Sequence, residues 1–138
     1  MQQLAPVNKI KEILQECRRI AVVGLSPKPD RPSHQVAVYL LRAGYDVIPV
    51  NPGHREILGR TCYPDLLAIP GSIDMVNIFR RAEEVPPVVQ AAIEKKVKVI
   101  WMQQGIVNEK AAALAEKQGI AVIMDRCVKV DHQDLLAP

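Results

Sequence analysis

The sequence predicts an α/β protein in which a parallel sheet of five strands lies between helices on both faces. Short apolar segments rich in Val, Ile and Met alternate with longer segments whose apolar residues recur every three or four positions. Gly, Pro or Asn separates most of these segments, as is typical of the turns between strands and helices. Strands that alternate with helices form parallel sheets, because each right-handed crossover returns across one face of the sheet.

The first elements are a helix and a buried strand. Over residues 8–19, the apolar side chains of Ile10, Ile13, Leu14 and Cys17 recur at the spacing of one helix face. The continuous apolar run over residues 20–25 then predicts a strand that is buried on both faces of the sheet.

A loop, a helix and a second strand follow. Residues 26–33 hold three prolines, which exclude a helix or an inner strand there. Ser33 is the predicted N-cap of a helix over residues 34–43, and Gly44 ends that helix. Residues 46–50 are the second strand, closed by the turn cluster at 51–53.

The second half of the chain repeats this alternation. A short helical turn at residues 64–68 precedes a third strand over residues 73–79. Further segments predict a helix from Pro86 to Val97, a strand over 99–102, a helix that Asn108 caps and Gly119 ends, and a strand over 120–124. We expect a peripheral tail at 130–138. The whole order predicts a Rossmann-like, doubly wound fold of three layers in a single domain, residues 1–138.

Composition excludes several classes of function. A net charge of +3 is far from the clustered basic stripe that nucleic-acid binding needs, although it favours anionic small ligands. No apolar run reaches the roughly twenty residues that cross a bilayer, and the amino terminus lacks the features of a signal peptide. The three cysteines are odd in number and show no metal-binding spacing, which indicates a reducing compartment. We therefore expect a cytoplasmic protein that binds neither membranes nor nucleic acid.

The candidate binding site lies at four strand ends. Ligands of open parallel sheets bind beyond the carboxyl ends of the strands, where the loops reverse direction. The predicted binding residues are Gly24, Leu25, Ser26, Lys28 and Arg31 after the first strand; Val50, Asn51, Pro52, His54 and Arg55 after the second; Phe79, Arg80 and Arg81 after the third; and Gln103, Gln104 and Gly105 after the fourth.

The loop after the first strand is suited to phosphate. Gly24 lets the backbone turn sharply and approach an anion, and the helix that begins near Ser33 offers free N–H groups to the same anion. Lys28 and Arg31 add positive charge, unless they are ordinary solvated loop residues. The full Gly-x-Gly-x-x-Gly fingerprint of dinucleotide-binding folds is absent.

The end of the second strand argues against NAD. NAD-binding folds place a carboxylate there to hold the ribose hydroxyls, whereas this chain has Asn51. His54 and Arg55 follow, which suits a phosphorylated ribose, or they are polar turn residues.

The third and fourth strand ends leave more alternatives open. One of Arg80 and Arg81 can hold phosphate as a bidentate fork while the other lies on the surface. Phe79 is either a core residue or a platform for adenine. Gln103 and Gln104 either contact the amides or ribose of a ligand or are ordinary loop residues.

The sequence contains few residues or motifs that indicate catalysis. The sequence holds no nucleophile elbow, P-loop or metal-ligand cluster, so we predict no catalytic or metal-binding residue. His34, His54 and His132 are predicted to be polar surface residues. Cys127 follows Arg126, and it is either a reactive thiol or a buried inert one.

Short motifs at the strand ends carry a resemblance to a known family. They are Val22-Val23-Gly24-Leu25-Ser26, Val50-Asn51-Pro52, Val76-Asn77-Ile78-Phe79-Arg80, Trp101-Met102-Gln103-Gln104-Gly105-Ile106 and Asp125-Arg126-Cys127. Together, over residues 10–132, they resemble the small CoA-binding protein family, which is related to the CoA-binding domain of the succinyl-CoA synthetase α subunit. The resemblance implies a Rossmann-like fold and coenzyme A or acyl-CoA along the strand ends. The synthetase also works with a phosphorylated histidine in a further domain and with a partner subunit, which these 138 residues do not contain, so ligase activity is not implied.

Three functions compete at this point. The favoured one is a non-catalytic module that binds CoA or acyl-CoA as a carrier, a sensor or a partner subunit. The second is an enzyme, either a nicotinamide oxidoreductase or an acyl-transfer protein that uses Cys127. The third is a regulatory or scaffolding domain without a ligand. The sequence leaves open whether the chain forms a homodimer or binds an unidentified protein partner.

Overall fold

The computed structural model describes residues 7–136, and these residues form the predicted three-layer α/β fold. Its main sheet has five parallel strands, β1 (Arg19–Val23), β2 (Asp46–Val50), β5 (Met75–Ile78), β6 (Val99–Met102) and β7 (Ala121–Ile123). The helices are α1 (Val7–Glu16), α2 (Pro32–Arg42), α3 (Val85–Glu94), α4 (Glu109–Lys117) and α5 (Val128–Leu135). Within residues 7–136, no helix is both long and apolar enough to cross a membrane.

The sheet order places a switch point between β1 and β5. The order is β2-β1-β5-β6-β7, so the chain moves outward from β1 to β2 and then returns to the other side of β1. β1 pairs with β2 through Val23 and Val50, and with β5 through Val23 and Ile78, so the carboxyl ends of the three strands are level. Connections diverge at such a point and leave a crevice above it.

Two apolar cores fill the space between the sheet and its two helix layers. α3 and α4 cover one face and pack on Ala21 and Val23, whereas α1, α2 and α5 cover the other and pack on Ile20 and Val22. Because successive side chains of a strand point to opposite faces, a strand buried on both sides is apolar throughout. Burial on both faces of the sheet explains the continuous apolar run that predicted β1.

Hydrogen bonds explain two differences at element boundaries. The first helix ends at Glu16, before the predicted end at residue 19, and Arg19 is the first residue of β1. The backbone N–H groups of Arg18 and Arg19 donate to Asp74 Oδ2 at 2.8 and 2.9 Å, so they are not available to continue the helix. The second helix begins at Pro32, so the prediction that Ser33 is its N-cap is wrong. Instead, Ser33 Oγ accepts the Ser26 N–H at 3.0 Å.

The prediction of a peripheral tail at residues 130–138 is also wrong for residues 130–136, because Leu135 and Leu136, at the end of α5, pack against the second core. Asp131 is buried, with its carboxylate held by Arg126 at 2.7 and 2.9 Å. Residues 137 and 138 lie outside the described residues. The interpretation of His132 as a plain surface residue fails as well. Its Nδ1 lies 2.7 Å from the hydroxyl of Tyr39, and its ring packs edge-on against Tyr45.

A small hairpin, β3 (Glu56–Ile57) and β4 (Arg60–Thr61), was not predicted. Its turn holds Leu58 at a φ of +57° beside Gly59 at +72°, and two-residue strands carry no periodicity. After β4, the N–H of Tyr63 donates to Pro49 at 3.0 Å, and the Asn51 N–H donates to Tyr63 at 2.9 Å. The segment thereby covers the outer edge of β2.

Candidate functional site

Gly24 closes β1 and connects the three strand ends above the switch point. Its φ is +88°, and its N–H donates to the carbonyl of Val50 at 2.9 Å. The N–H of Phe79 donates to the carbonyl of Val23 at 2.8 Å on the other side. The backbone of the candidate site is therefore a continuation of the sheet.

The loop between β1 and α2 is ordered by its own hydrogen bonds. Ser26 Oγ accepts the Lys28 N–H at 3.1 Å, and the carbonyl of Ser26 lies 2.9 Å from His34 Nδ1. Because a carbonyl only accepts, Nδ1 of His34 carries a proton. Arg31, the N-cap residue of α2, makes no side-chain hydrogen bond to the helix. The first turn of α2 therefore has N–H groups that no N-cap side chain satisfies, which is the arrangement that favours an anion.

A cleft of about 470 Å³ opens between this loop and the ends of β1, β2 and β5. Of residues 7–136, those that line it include the basic residues Lys28 and Arg31 and no carboxylate, so the charged residues of this lining have one sign. Clefts lined by charge of one sign concentrate ions of the opposite sign. We call this the strand-end cleft; it is lined by Gly24, Ser26, Pro27, Lys28, Arg31, Pro32, Ser33, Asn51, His54 and Phe79.

Asn51 uses its side chain within the protein. Its Nδ2 donates to the carbonyl of Leu25 at 3.0 Å, and its Oδ1 accepts the Gly53 N–H at 3.0 Å. The amide thus connects the loop after β1 to the turn after β2. Of the two basic candidates that follow, His54 lines the strand-end cleft, whereas Arg55 is exposed and lies just before the β3–β4 hairpin.

A second, apolar cavity of about 200 Å³ lies beside the cleft, where the ends of β1 and β2 face α3. Val23, Val50, Pro52 and Arg80 line it together with Leu66. It is small and apolar, so it suits an uncharged ring or chain rather than a phosphate.

A third cavity of about 500 Å³ continues along the sheet and is lined by Phe79, Arg80, Arg81, Gln104 and Gly105 among others. Phe79 also borders the strand-end cleft and Arg80 also borders the apolar cavity, so the three cavities are neighbours.

The two arginines after β5 differ in their partners. Arg81 Nε lies 3.2 Å from a carboxylate oxygen of Glu84 and 3.5 Å from one of Glu83, and its hydrogen bond lowers the pKa of Glu84. Arg80 is half-buried and has no ion pair with any residue from 7 to 136. Of these two arginines, Arg80 is therefore the one without an ion pair among the described residues.

Three of the predicted site residues, Leu25, Val50 and Gln103, are buried. Leu25 is fully buried, and Gln103 is 3% exposed with its Nε2 donating to Asn77 Oδ1 at 2.6 Å. A ligand in the cavities can reach these residues through their backbones. Gln104 is exposed, and the Gly105 N–H donates to Asp125 Oδ1 at 2.7 Å. Sequence reasoning missed Asn77, a polar residue inside a strand, as the partner of Gln103.

The nucleophilic groups outside this region are in unfavourable surroundings. Burial raises the pKa of the Cys17 thiol to about 11, and burial also raises the pKa of Cys62. A thiol with a raised pKa is mostly protonated at neutral pH and is a poor nucleophile. Cys127 is half-buried and, like the other two, is a free thiol. Residues 7–136 contain no group of three side chains placed to hold a metal ion.

Comparison with known proteins assigns most of the chain to one family. Residues 18–133 match the model of a family described as CoA binding domain. The chain is 51% identical over 124 residues to the uncharacterized protein YneT of Bacillus subtilis, which covers 90% of this chain and 92% of that protein. It is 32% identical over 126 residues to acetate–CoA ligase [ADP-forming] I of Archaeoglobus fulgidus. That match covers 84% of this chain but only 18% of the ligase.

Solved structures share the fold over the whole chain. A hypothetical protein from Pyrococcus horikoshii superposes with a TM-score of 0.92 at 40% identity, and 99% of each chain is covered. A protein from Thermus thermophilus superposes with a TM-score of 0.91 at 29% identity, over 96% of this chain and all of that one.

Proposed function

This chain belongs to the family of CoA-binding domains, and from that premise we propose that it binds coenzyme A or acyl-CoA at the carboxyl ends of β1, β2 and β5. The observation that carries the proposal is the strand-end cleft at the switch point. The described residues that line it include basic residues and no carboxylate, and the α2 amino terminus beside it has no side-chain cap.

The anionic half of CoA suits this cleft. The pyrophosphate would lie against the backbone after Gly24 and the first turn of α2, with Lys28 and Arg31 supplying charge. The phosphate on the ribose would lie toward His54, the basic residue of the second turn that lines the cleft. Arg80, which has no ion pair among the described residues, supplies a further charge beside it.

The two neighbouring cavities suit the uncharged parts of CoA. The apolar cavity next to Val23 and Val50 suits an uncharged ring or chain, whereas the third cavity, which the exposed Gln104 lines, suits the polar pantetheine arm because the Gln104 side chain carries an amide. A free phosphate would need neither cavity. This combination favours a ligand that is anionic at one end and amphipathic elsewhere.

We propose a non-catalytic role as a carrier, a sensor or a partner module, within a single domain. The internal use of the Asn51 amide, at the position where NAD-dependent enzymes carry a carboxylate, supports this role over that of a nicotinamide enzyme. Since the chain spans 18% of the A. fulgidus ligase, the ligase activity of that protein is not extended to it.

Native mass spectrometry of the freshly purified protein tests the proposal. The expected spectrum holds a second species heavier than the 15.3 kDa chain by the mass of CoA or an acyl-CoA, which increases when CoA is added. The double variant Lys28→Glu, Arg31→Glu should lose this species, whereas Lys110→Glu, an exposed change on α4, should retain it. If wild-type protein shows no adduct with CoA in excess, the proposal is wrong.

A further inference from the structure

A separate groove of about 430 Å³ lies between α2 and α5, and the proposed function does not use it. We call it the α2/α5 groove. Its lining includes His34, Tyr39 and Arg42 from α2, Lys129 and Gln133 from α5, and Pro29 from the loop before α2. It shares no lining residue with the strand-end cleft, although the loop over residues 26–33 borders both.

Two cations from different helices converge on this groove without a counter-charge. Arg42 and Lys129 both line it, no carboxylate does, and neither cation lies within 4 Å of a carboxylate of residues 7–136. Like charges that share a cleft repel each other, and this repulsion is relieved when an anion binds between them.

The position of Lys129 in its helix strengthens this point. Lys129 is in the first turn of α5, where the helix dipole is positive and disfavours a cation. Arg42 lies in the last turn of α2, where a cation is favourable for the helix itself. Helix stability thus favours Arg42 but not Lys129, and an anion in the groove would stabilise both cations.

The rest of the groove supplies a wall and further donors. Lys129 Nζ is 5.9 Å from the centroid of the Tyr39 ring, which holds the ammonium group at the groove. The Tyr39 hydroxyl is bound to His132 Nδ1 at 2.7 Å, so the ring is fixed in place. Gln133 also lines the groove, and its side chain carries a neutral amide donor.

We propose that the α2/α5 groove is a second anion-binding site that takes a small phosphate-bearing molecule between Arg42 and Lys129. Phosphate suits the site better than a single carboxylate, because its charge approaches −2 at neutral pH and can compensate both cations. A guanidinium group matches phosphate oxygens bidentately, and an ammonium group adds a point charge. This site is independent of whether CoA occupies the strand-end cleft.

A titration with inorganic phosphate at constant ionic strength, followed by ¹H–¹⁵N NMR, tests the proposal. We expect saturable shifts in the amides of residues 38–42 and 129–133. Any phosphate in the strand-end cleft would shift a different set, the amides of Gly24, Ser26, Asn51 and His54, which line that cleft and not the groove, so the two sites are read separately in one experiment. The double variant Lys28→Gln, Arg31→Gln should weaken only the second set.

The deciding variant is Arg42→Gln, Lys129→Gln, which alters two side chains that are not buried. It should weaken phosphate binding at the groove by about tenfold or more, the effect of losing one charge-assisted contact or more. Lys117→Gln is the matched control, since Lys117 is also an exposed cation in the last turn of a helix. Shifts at the groove that do not saturate, that persist in the double variant, or that Lys117→Gln reduces equally would overturn the proposal.

Discussion

A β-carbon built on Gly24 would lie 2.2 Å from the carbonyl oxygen of Phe79. Real β-carbons essentially never come so close to another heavy atom, and the Gly24 φ of +88° is itself a conformation that other residues rarely adopt. The sequence suggested that this glycine lets a phosphate approach. The contact with Phe79 shows that the junction of β1 and β5 already requires glycine, whether or not a ligand is present.

Gly24→Ala should therefore destabilise the fold, and Gly44→Ala provides its control. Gly44 has a φ of +99° and nothing within 4 Å of its added β-carbon, so both variants carry backbone strain but only Gly24→Ala carries the collision. We expect Gly24→Ala to lose roughly 1–3 kcal/mol more unfolding free energy than Gly44→Ala, the usual cost of overpacking. Denaturant unfolding measures this difference, and equal losses would contradict the collision. Gly24→Val should lose CoA binding too, but that loss reports on folding as well as on the site.

Asn51→Ala should weaken CoA binding by about tenfold, because two hydrogen bonds that hold the strand-end loops are lost. Asn108→Ala is a matched control: Asn108 also accepts one backbone N–H and donates to one carbonyl, both at 3.0 Å, and lines none of the three cavities. Both variants should be less stable, and calorimetry should find weaker CoA binding only for Asn51→Ala. Unchanged affinity in Asn51→Ala would show that its amide does not shape the site.

Dephospho-CoA should bind more weakly than CoA by roughly 1–3 kcal/mol if a basic side chain meets the ribose phosphate. Because His54 lines the strand-end cleft and Arg55 does not, His54→Gln should reduce this preference and Arg55→Gln should leave it. Competition binding with both ligands measures the preference in each variant. If Arg55→Gln reduced the preference and His54→Gln left it unchanged, the ribose phosphate would instead lie beside Arg55, on the hairpin side of the turn.

Asp74 should make the fold sensitive to acid. Burial raises the pKa of Asp74, but hydrogen bonds from the Arg19 and Arg18 N–H groups, with the Lys98 ammonium, outweigh burial and hold the pKa below its ordinary value. A lowered pKa in the folded state contributes stability above the unfolded pKa of about 4, and that stability is lost as the pH falls through the folded pKa. Unfolding free energy should therefore fall more steeply below pH 4 for wild type than for Asp74→Asn. Parallel curves of unfolding free energy against pH for the two proteins would contradict this prediction.

The fold could be predicted from the sequence because its strands are apolar on both faces, and what escaped prediction lacks that signal. α5 was missed because its buried position 131 holds an aspartate, whose pairing with Arg126 replaces an apolar contact and interrupts the helical period. The β3–β4 hairpin was missed because Leu58, which favours a negative φ, occupies a left-handed turn position.

The site was predicted as four strand ends, but the sequence alone could not assign side-chain direction. Gln103 follows the buried Met102 in sequence, and only the position of Asn77 on the neighbouring strand shows why its side chain is buried as well. In the same way, Arg80 and Arg81 are equivalent in sequence, and the placement of Glu83 and Glu84 distinguishes them. Contacts between distant segments decide such directions, and local patterns do not contain them.

Isothermal titration of the purified chain with CoA and with NAD, under identical conditions, measures whether the strand-end cleft prefers CoA. We expect saturable binding of CoA and much weaker binding of NAD, because the described residues that line the cleft include basic groups but no carboxylate for a ribose diol. Binding of CoA should also weaken in the double variant Lys28→Glu, Arg31→Glu. Equal affinities for CoA and NAD, or no heat of CoA binding to protein shown to be folded and free of ligand, would show that the strand-end cleft is not a CoA site.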